Sequence, residues 1–188
     1  MIPAPTTSVA GAPSDVVLRP PQVTDAAAVL DLVVRSSRLD RNSAYHYLLL
    51  CRDFAGTSVV AEVDGRVVGF VTGYLRPAAP DTYFAWQSAV DSAVPVPGLA
   101  LAMMIEVVDR AQALGARRFE TTVNPDNRAV IMLVRKLARR HGATVTTSVL
   151  FDEADLGPDH DVEVLYRFPL RDGQDPDHPT ATTARSDR

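Results

Sequence analysis

Trp86 and Ser88 stand two residues apart in Tyr83-Phe84-Ala85-Trp86-Gln87-Ser88-Ala89-Val90, a run whose composition predicts a strand. Residues two apart on a strand share a face, so an indole and a hydroxyl are expected side by side. Trp86, the sole tryptophan, would by itself fill a core. A serine beside it needs a hydrogen-bond partner that a dry core does not offer. The pair therefore points to a pocket. A second constellation is Pro95-Val96-Pro97-Gly98-Leu99-Ala100, directly ahead of an apolar helical run. Backbone N–H groups at such a helix start suit an anion such as a phosphate. Gly98, Leu99 and Ala100 can donate there; Pro95 and Pro97 have no N–H. The same loop would also serve as a rigid strand-to-helix connection with no anion.

Other reactive side chains are less pointed by themselves. Glu163 lies between Val162 and Val164, where strand alternation sets it opposite the valines. It reads as a solvated strand residue or as a pocket carboxylate, and His160 lies just ahead of it. Asp40 and Tyr45 fall in Leu39-Asp40-Arg41-Asn42-Ser43-Ala44-Tyr45-His46-Tyr47-Leu48-Leu49-Leu50-Cys51. Taken alone they are a helix-start charge and a core aromatic. Asn127 reads as a helix cap. Cys51, at the end of a leucine run, reads as a small core residue. A single cysteine excludes an intramolecular disulfide and fits a reducing cytoplasm. Four histidines and one cysteine show no metal-ligand spacing, so no metal is expected.

The elements that must position these groups follow from periodicity. Val16–Arg19 is a short strand stopped by Pro20-Pro21. Thr24 is expected to cap a helix to about Ser37, and a second helix is expected from the Asp40–Cys51 segment, capped by Asn42 or Ser43. Runs 57–63 and 67–75 are joined by Asp64-Gly65, a hairpin signal. A strand at 83–90, a helix at 98–114 ended by Gly115, a strand at 118–123 and a helix at 126–141 ended by Gly142 follow. Strands at 144–151 and 162–168 close the order β-α-α-β-β-β-α-β-α-β-β, a mixed sheet with helices on both faces.

At 188 residues, with 46% hydrophobic and 22% charged residues, the chain suits one well-buried domain. Residues 1–15, with three prolines, read as a disordered leader, 16–170 as the folded domain and 171–188 as a polar, disordered tail. A net charge of -4 gives no general attraction to nucleic acid or anionic membrane. No apolar run approaches the roughly 20 residues of a membrane helix, and a cytoplasmic location is expected.

The segment Leu39–Cys51, the stretch Pro80-Asp81-Thr82-Tyr83-Phe84-Ala85-Trp86-Gln87 and Asp159-His160-Asp161-Val162-Glu163-Val164-Leu165-Tyr166 together resemble the L-2,4-diaminobutyrate acetyltransferases of ectoine biosynthesis. These form a branch of the acetyl-CoA-dependent GNAT N-acetyltransferase superfamily. The resemblance spans Leu39 to about Phe168 and implies the superfamily's α/β (α+β) fold: a central mixed, mostly antiparallel sheet with helices on both faces. The strand-to-helix loop departs from the superfamily's Gln/Arg-x-x-Gly-x-Gly/Ala. Gly98 and Ala100 match, but Pro95 stands at the basic position and Pro97 in the loop.

The resemblance implies acetyl transfer from acetyl-CoA to the side-chain amine of diaminobutyrate, with no metal. It assigns Asp40 to a substrate ammonium and Tyr45 to hydrogen bonding or stacking. Trp86 becomes a pocket wall, Ser88 a donor, Glu163 the first candidate base and His160 the second, with both lining the substrate pocket. It assigns the amides of Gly98, Leu99 and Ala100 and the side chain of Asn127 to CoA, and backbone N–H near Ala89 and Val90 to the thioester oxygen. Relatives often carry a tyrosine acid where Val134 stands here, so no leaving-group acid is assigned. A homodimer is implied. An acetyltransferase for another diamine or amino acid, and a non-catalytic acyl-CoA- or amino-acid-binding paralogue, remain open on these residues.

Overall fold

The central strands are buried almost continuously, as at residues 68–73, because both faces of the sheet are covered. The computed structural model describes residues 7–9, 16–36, 39–157 and 161–171. Its strands are β1 (Thr7–Val9), β2 (Val16–Arg19), β3 (Val59–Val63), β4 (Arg66–Arg76), β5 (Ala79–Val90), β6 (Arg118–Val123), β7 (Thr146–Phe151) and β8 (Glu163–Pro169). They form one sheet in the order β1-β2-β3-β4-β5-β6-β8-β7. All pairings are antiparallel except β5 with β6, which the crossover through a helix makes parallel. The helices are α1 (Ala26–Ser36), α2 (Ala44–Asp53), α3 (Leu99–Ala113), α4 (Arg128–Arg140) and the one-turn α5 (Glu153–Leu156). Among the described residues no helix is long and apolar enough to cross a membrane.

Two cores follow from the two faces. Val59, Ala61, Val71, Tyr83 and Phe119 meet Met103, Val107 and Leu137 of α3 and α4 on one side. Val60 and Phe70 meet Val29, Val33, Tyr47 and Leu50 of α1 and α2 on the other. Burying each such large apolar side chain stabilises the fold by about 1.5–3 kcal/mol.

Local chemistry adjusts several expected boundaries. The first helix does not start at a Thr24 cap. Gln22 and Asp25 exchange bonds around a 3-10 turn at Val23–Asp25, the Gln22 amide donating to Asp25 Oδ2 at 2.7 Å, and α1 follows from Ala26. Ser43 caps α2 by accepting from the His46 amide at 3.3 Å, which leaves Asp40 ahead of the helix. Strand β5 begins at Ala79, ahead of the expected Tyr83, and β7 at Thr146, two residues later than expected. Thr7–Val9, inside the stretch read as a leader, pairs with Val16–Leu18 as a short antiparallel strand. The α5 turn, capped by Asp152, escaped periodicity because one turn shows none.

Candidate active site

The site originates in a β-bulge. Thr72 pairs with Gln87 and Gly73 with Ala85, so Trp86 is an extra residue in β5 with no partner on β4. A bulge of this kind turns two consecutive side chains toward one face and sharpens the local twist. Gln87 and Trp86 both turn toward α2. Trp86 packs on the α1/α2 core, and the Tyr47 hydroxyl donates to Gln87 Oε1 at 3.3 Å. Ser88 pairs with Val71, which belongs to the opposite core. The expectation that Trp86 and Ser88 share a face is therefore wrong, because the bulge between them breaks the two-residue period. Gly73 makes room for the bulge: a Cβ there would meet the Tyr83 hydroxyl and lie 2.6 Å from the Phe84 carbonyl oxygen.

The bulge also ends a strand pairing. β5 and β6 run together only from Thr82/Arg118 to Ala85/Thr121. Beyond that, β6 continues with β8 to Val123/Val164 while β5 follows β4. The sheet opens between Trp86–Val90 and Thr122–Asn124. A cavity of about 160 Å³ fills the gap, lined among others by Asp40, Trp86, Ser88, Thr122, Asn127 and Glu163. Because the gap passes through the sheet, Trp86 from one face and Ser88 from the other both line it.

Two larger cavities meet at this gap. On the α1/α2 face, about 470 Å³ is bounded by Asp40, Asp161 and Glu163, by Thr122 and Asn124, and by a ring of Tyr74, Phe84, Trp86 and Phe151. Glu163 faces it because Val164, Tyr166 and Phe168 of β8 turn to the other core, as the alternation implies. Asn124 donates to Asp161 at 2.6 Å and accepts from the Asp126 amide at 2.8 Å. Along α3 and α4, about 770 Å³ is lined by Ser88, Ala89, Val90, Gly98, Leu99, Ala100 and Asn127, with Lys136 and Arg139 further along α4. Carboxylates and aromatic faces fit an ammonium; the second cavity, apolar with a helix start and cations, fits a long ligand ending in phosphates.

Of the residues singled out in the sequence, Asp40, Trp86 and Glu163 stand in the carboxylate cavity and the gap, and Ser88 spans the gap and the longer cavity. Tyr45 does not join them. It is 67% exposed, because Tyr47, Leu50 and Cys51 take the inward face of α2 and a residue two positions from Tyr47 points away. His160 lies outside the described residues. Asn127 caps α4, accepting from the Val130 amide at 3.3 Å, and still lines both the gap and the long cavity. Gly98 adopts φ 77° as the cap of α3, and the Leu99 amide donates back to the Val96 carbonyl at 3.3 Å. Leu99 is thus engaged in the turn, and the open donors of the first turn move on to Ala100 and Leu101. Val134 is buried in the core.

Sequence reasoning missed Gln87 as a holding residue. Its Nε2 donates to the Asp40 carbonyl at 3.0 Å while its Oε1 accepts from Tyr47, whose hydroxyl also accepts from the Asn42 amide at 3.4 Å. The bulge is thereby tied to the loop that carries Asp40. It also missed Tyr74, Phe84, Thr122, Asn124, Phe151 and Asp161, whose convergence depends on strand register. Behind Trp86, the His46 ring stands edge-on with centroids 4.5 Å apart. Burial lowers the pKa of His46, and its Nε2 is buried without a hydrogen-bond partner among the described residues. Burial pushes the Cys51 thiol up to about 11, as befits an inert core cysteine. Among the described residues no group of three or more His, Cys, Asp or Glu is placed to hold a metal.

This splayed sheet, with a helix start at its mouth, coincides with a known family. Residues 26–139 match the acetyltransferase (GNAT) family model. The chain belongs to the GNAT acetyltransferase family. Among its relatives, an L-2,4-diaminobutyric acid acetyltransferase of Nocardia farcinica is 49% identical over 151 residues, covering 80% of this chain and 78% of the relative. One of the same description from Streptomyces coelicolor is 46% identical over 167 residues, covering 86% of this chain and 98% of the relative. The solved structure of the diaminobutyrate acetyltransferase EctA from Paenibacillus lautus, in complex with L-2,4-diaminobutyric acid and coenzyme A, superposes with a TM-score of 0.78. It is 34% identical, with 86% of this chain and 98% of that chain covered. This GNAT member therefore shares its fold with the solved relative and aligns over most of each chain.

Proposed function

We propose that this protein transfers the acetyl group of acetyl-CoA to the side-chain amine of L-2,4-diaminobutyrate, giving the N4-acetyl product that serves ectoine synthesis. The observation that carries the reading is the junction itself: a carboxylate-rich, aromatic-walled cavity meets an apolar, phosphate-suited cleft through one gap in the sheet. The relatives' names and the neighbour's two ligands support the same pair of substrates.

The chain's residues divide the work by position. Asp40 and Asp161 attract the ammonium groups of the amino acid, and Trp86 and Phe84 wall it. The attacking amine has an ordinary pKa of roughly 10 and must shed a proton. Glu163, bordering both the amine cavity and the gap, takes that proton directly or through a water; His160 is the second candidate. As the N–C bond forms, the carbonyl oxygen becomes an oxyanion, met by β5 amides near Ala89 and Val90 beyond the last β6 pairing. The C–S bond then breaks and CoA leaves as the thiolate, a good leaving group at neutral pH to which no acid is assigned. Ser88 donates into the gap from the cofactor side. A homodimer belongs to the same reading: the edge strand β7 is exposed throughout, with Val149, Leu150 and Phe151 among its side chains.

The test is thiol release from acetyl-CoA with diaminobutyrate, ornithine, lysine and putrescine. Release with diaminobutyrate in clear excess over the others is expected. Equal or greater release with another amine would transfer the reading to that substrate.

A further inference from the structure

The cofactor cleft contains a conflict between its shape and its loop. Pro95 and Pro97 offer no backbone donors, Pro95 stands where the superfamily pattern carries Gln or Arg, and the Leu99 amide is turned back to Val96. Yet the cleft is about 770 Å³ and runs the length of α4. Its far end is where charge has been kept. Ala129, Met132, Leu133, Lys136 and Arg139 recur at three- and four-residue spacing, one face of α4, and all line the cleft. With a rise of about 1.5 Å per residue, Lys136 and Arg139 lie roughly 14 and 18 Å along α4 from Asn127 at the gap. They are at the end remote from the chemistry, where the phosphates of a cofactor reaching the gap must lie.

The remaining cation of the cleft lining is otherwise engaged. Arg35, on the opposite wall, donates to Asp31 and pairs with Asp91, each at 2.9 Å. Lys136 and Arg139 are exposed and form no ion pair with a carboxylate among the described residues. Two cations on one helix face, lining a cleft and unmatched by acid, are suited to an external polyanion.

We propose that Lys136 and Arg139 form the principal phosphate grip of this protein, supplying from α4 the anion binding for which the α3 start retains only the Ala100 and Leu101 amides. The proposal rests on the acetyl-CoA reading above and assigns the cofactor's phosphates chiefly to side chains ahead of the loop backbone.

The experiment is calorimetric titration of the full chain with acetyl-CoA and with S-acetylpantetheine, which lacks phosphate. Wild type is compared with Lys136→Gln/Arg139→Gln and with Arg135→Gln/Arg140→Gln, which removes the same charge from α4 outside the cleft. Losing contacts to a charged group should weaken acetyl-CoA binding about 10-fold or more per cation in the first double variant. S-acetylpantetheine binding should be unaltered in that variant, and the second double variant should bind acetyl-CoA like wild type. Wild-type acetyl-CoA affinity in K136Q/R139Q would overturn the grip, as would equal losses in both double variants, which would indicate a diffuse field. Wild type binding acetyl-CoA no tighter than S-acetylpantetheine would overturn the grip while leaving acetyl transfer standing. Wild type binding neither would remove the acetyl-CoA reading itself.

Discussion

Glu163 and Gln87 carry opposite kinds of role, and substitution separates them. Glu163→Gln keeps shape and removes the proton acceptor, so turnover should fall by roughly 10²–10⁴-fold while acetyl-CoA affinity stays the same. An unchanged turnover number would take Glu163 out of the mechanism. Gln87 touches no reacting atom; it positions Asp40 through its bond to that residue's carbonyl. Gln87→Glu keeps an acceptor for Tyr47 but cannot donate to Asp40, so KM for diaminobutyrate should rise several-fold, about the worth of a hydrogen bond of 0.5–1.5 kcal/mol, with kcat little altered. A fall in kcat at constant KM would contradict a positioning role. At this scale much was legible: Asp40, Trp86, Ser88 and Glu163 stand at the gap or its cavities. Tyr45 stands outside the described cavities because the helix phase is set by Tyr47, which the tertiary contact with Gln87 draws inward. Gln87 itself looked like any polar strand residue until the bulge turned it toward α2.

Among the elements, β5 decides most. Its extra residue at Trp86 bends it off β6, and Gly73 opposite is the condition for that bend. Gly73→Ala should cost about 1–3 kcal/mol through overpacking, lowering Tm by about 2–4 °C per kcal/mol for a chain of this size. It should also raise KM for diaminobutyrate, since the Phe84 and Trp86 walls must shift. A variant melting and turning over like wild type would show that the bulge tolerates a side chain there. The run 83–90 announced a strand, but strand periodicity assumes an unbroken ladder, and a bulge is set by the partner strand. For that reason the element was legible and its facing was not. The helices were found because their apolar stripes and the glycines at 115 and 142 are local signals, whereas the α1 start depended on Asp25 rather than Thr24.

At the scale of the molecule, two buried carboxylates link helices to the sheet. Burial pushes the Asp25 carboxyl up, but the Arg19 guanidinium and the Gln22 amide together hold it below its ordinary 3.8. Asp91 is held below 3.8 by the Ala93 amide first and then by Arg35 of α1. Groups with depressed folded pKa values contribute stability above the unfolded value and lose it as pH falls through the folded one. The fold should therefore weaken below about pH 3.8, and Asp91→Asn should melt below wild type at pH 7 with the difference closing in acid. A constant difference across that range would contradict the linkage. The architecture was readable from element order together with the motifs, since alternating strands and helices admit few packings. The opening between β5 and β6 was not, because it depends on where one pairing stops. That opening is where donor and amine must meet, and the product's regiochemistry tests it most directly. We would incubate the protein with ¹³C-acetyl-CoA and L-2,4-diaminobutyrate and locate the label by NMR. The account predicts an acetyl group on the side-chain nitrogen alone; label on the α-nitrogen, or free acetate with no amide formed, would contradict it.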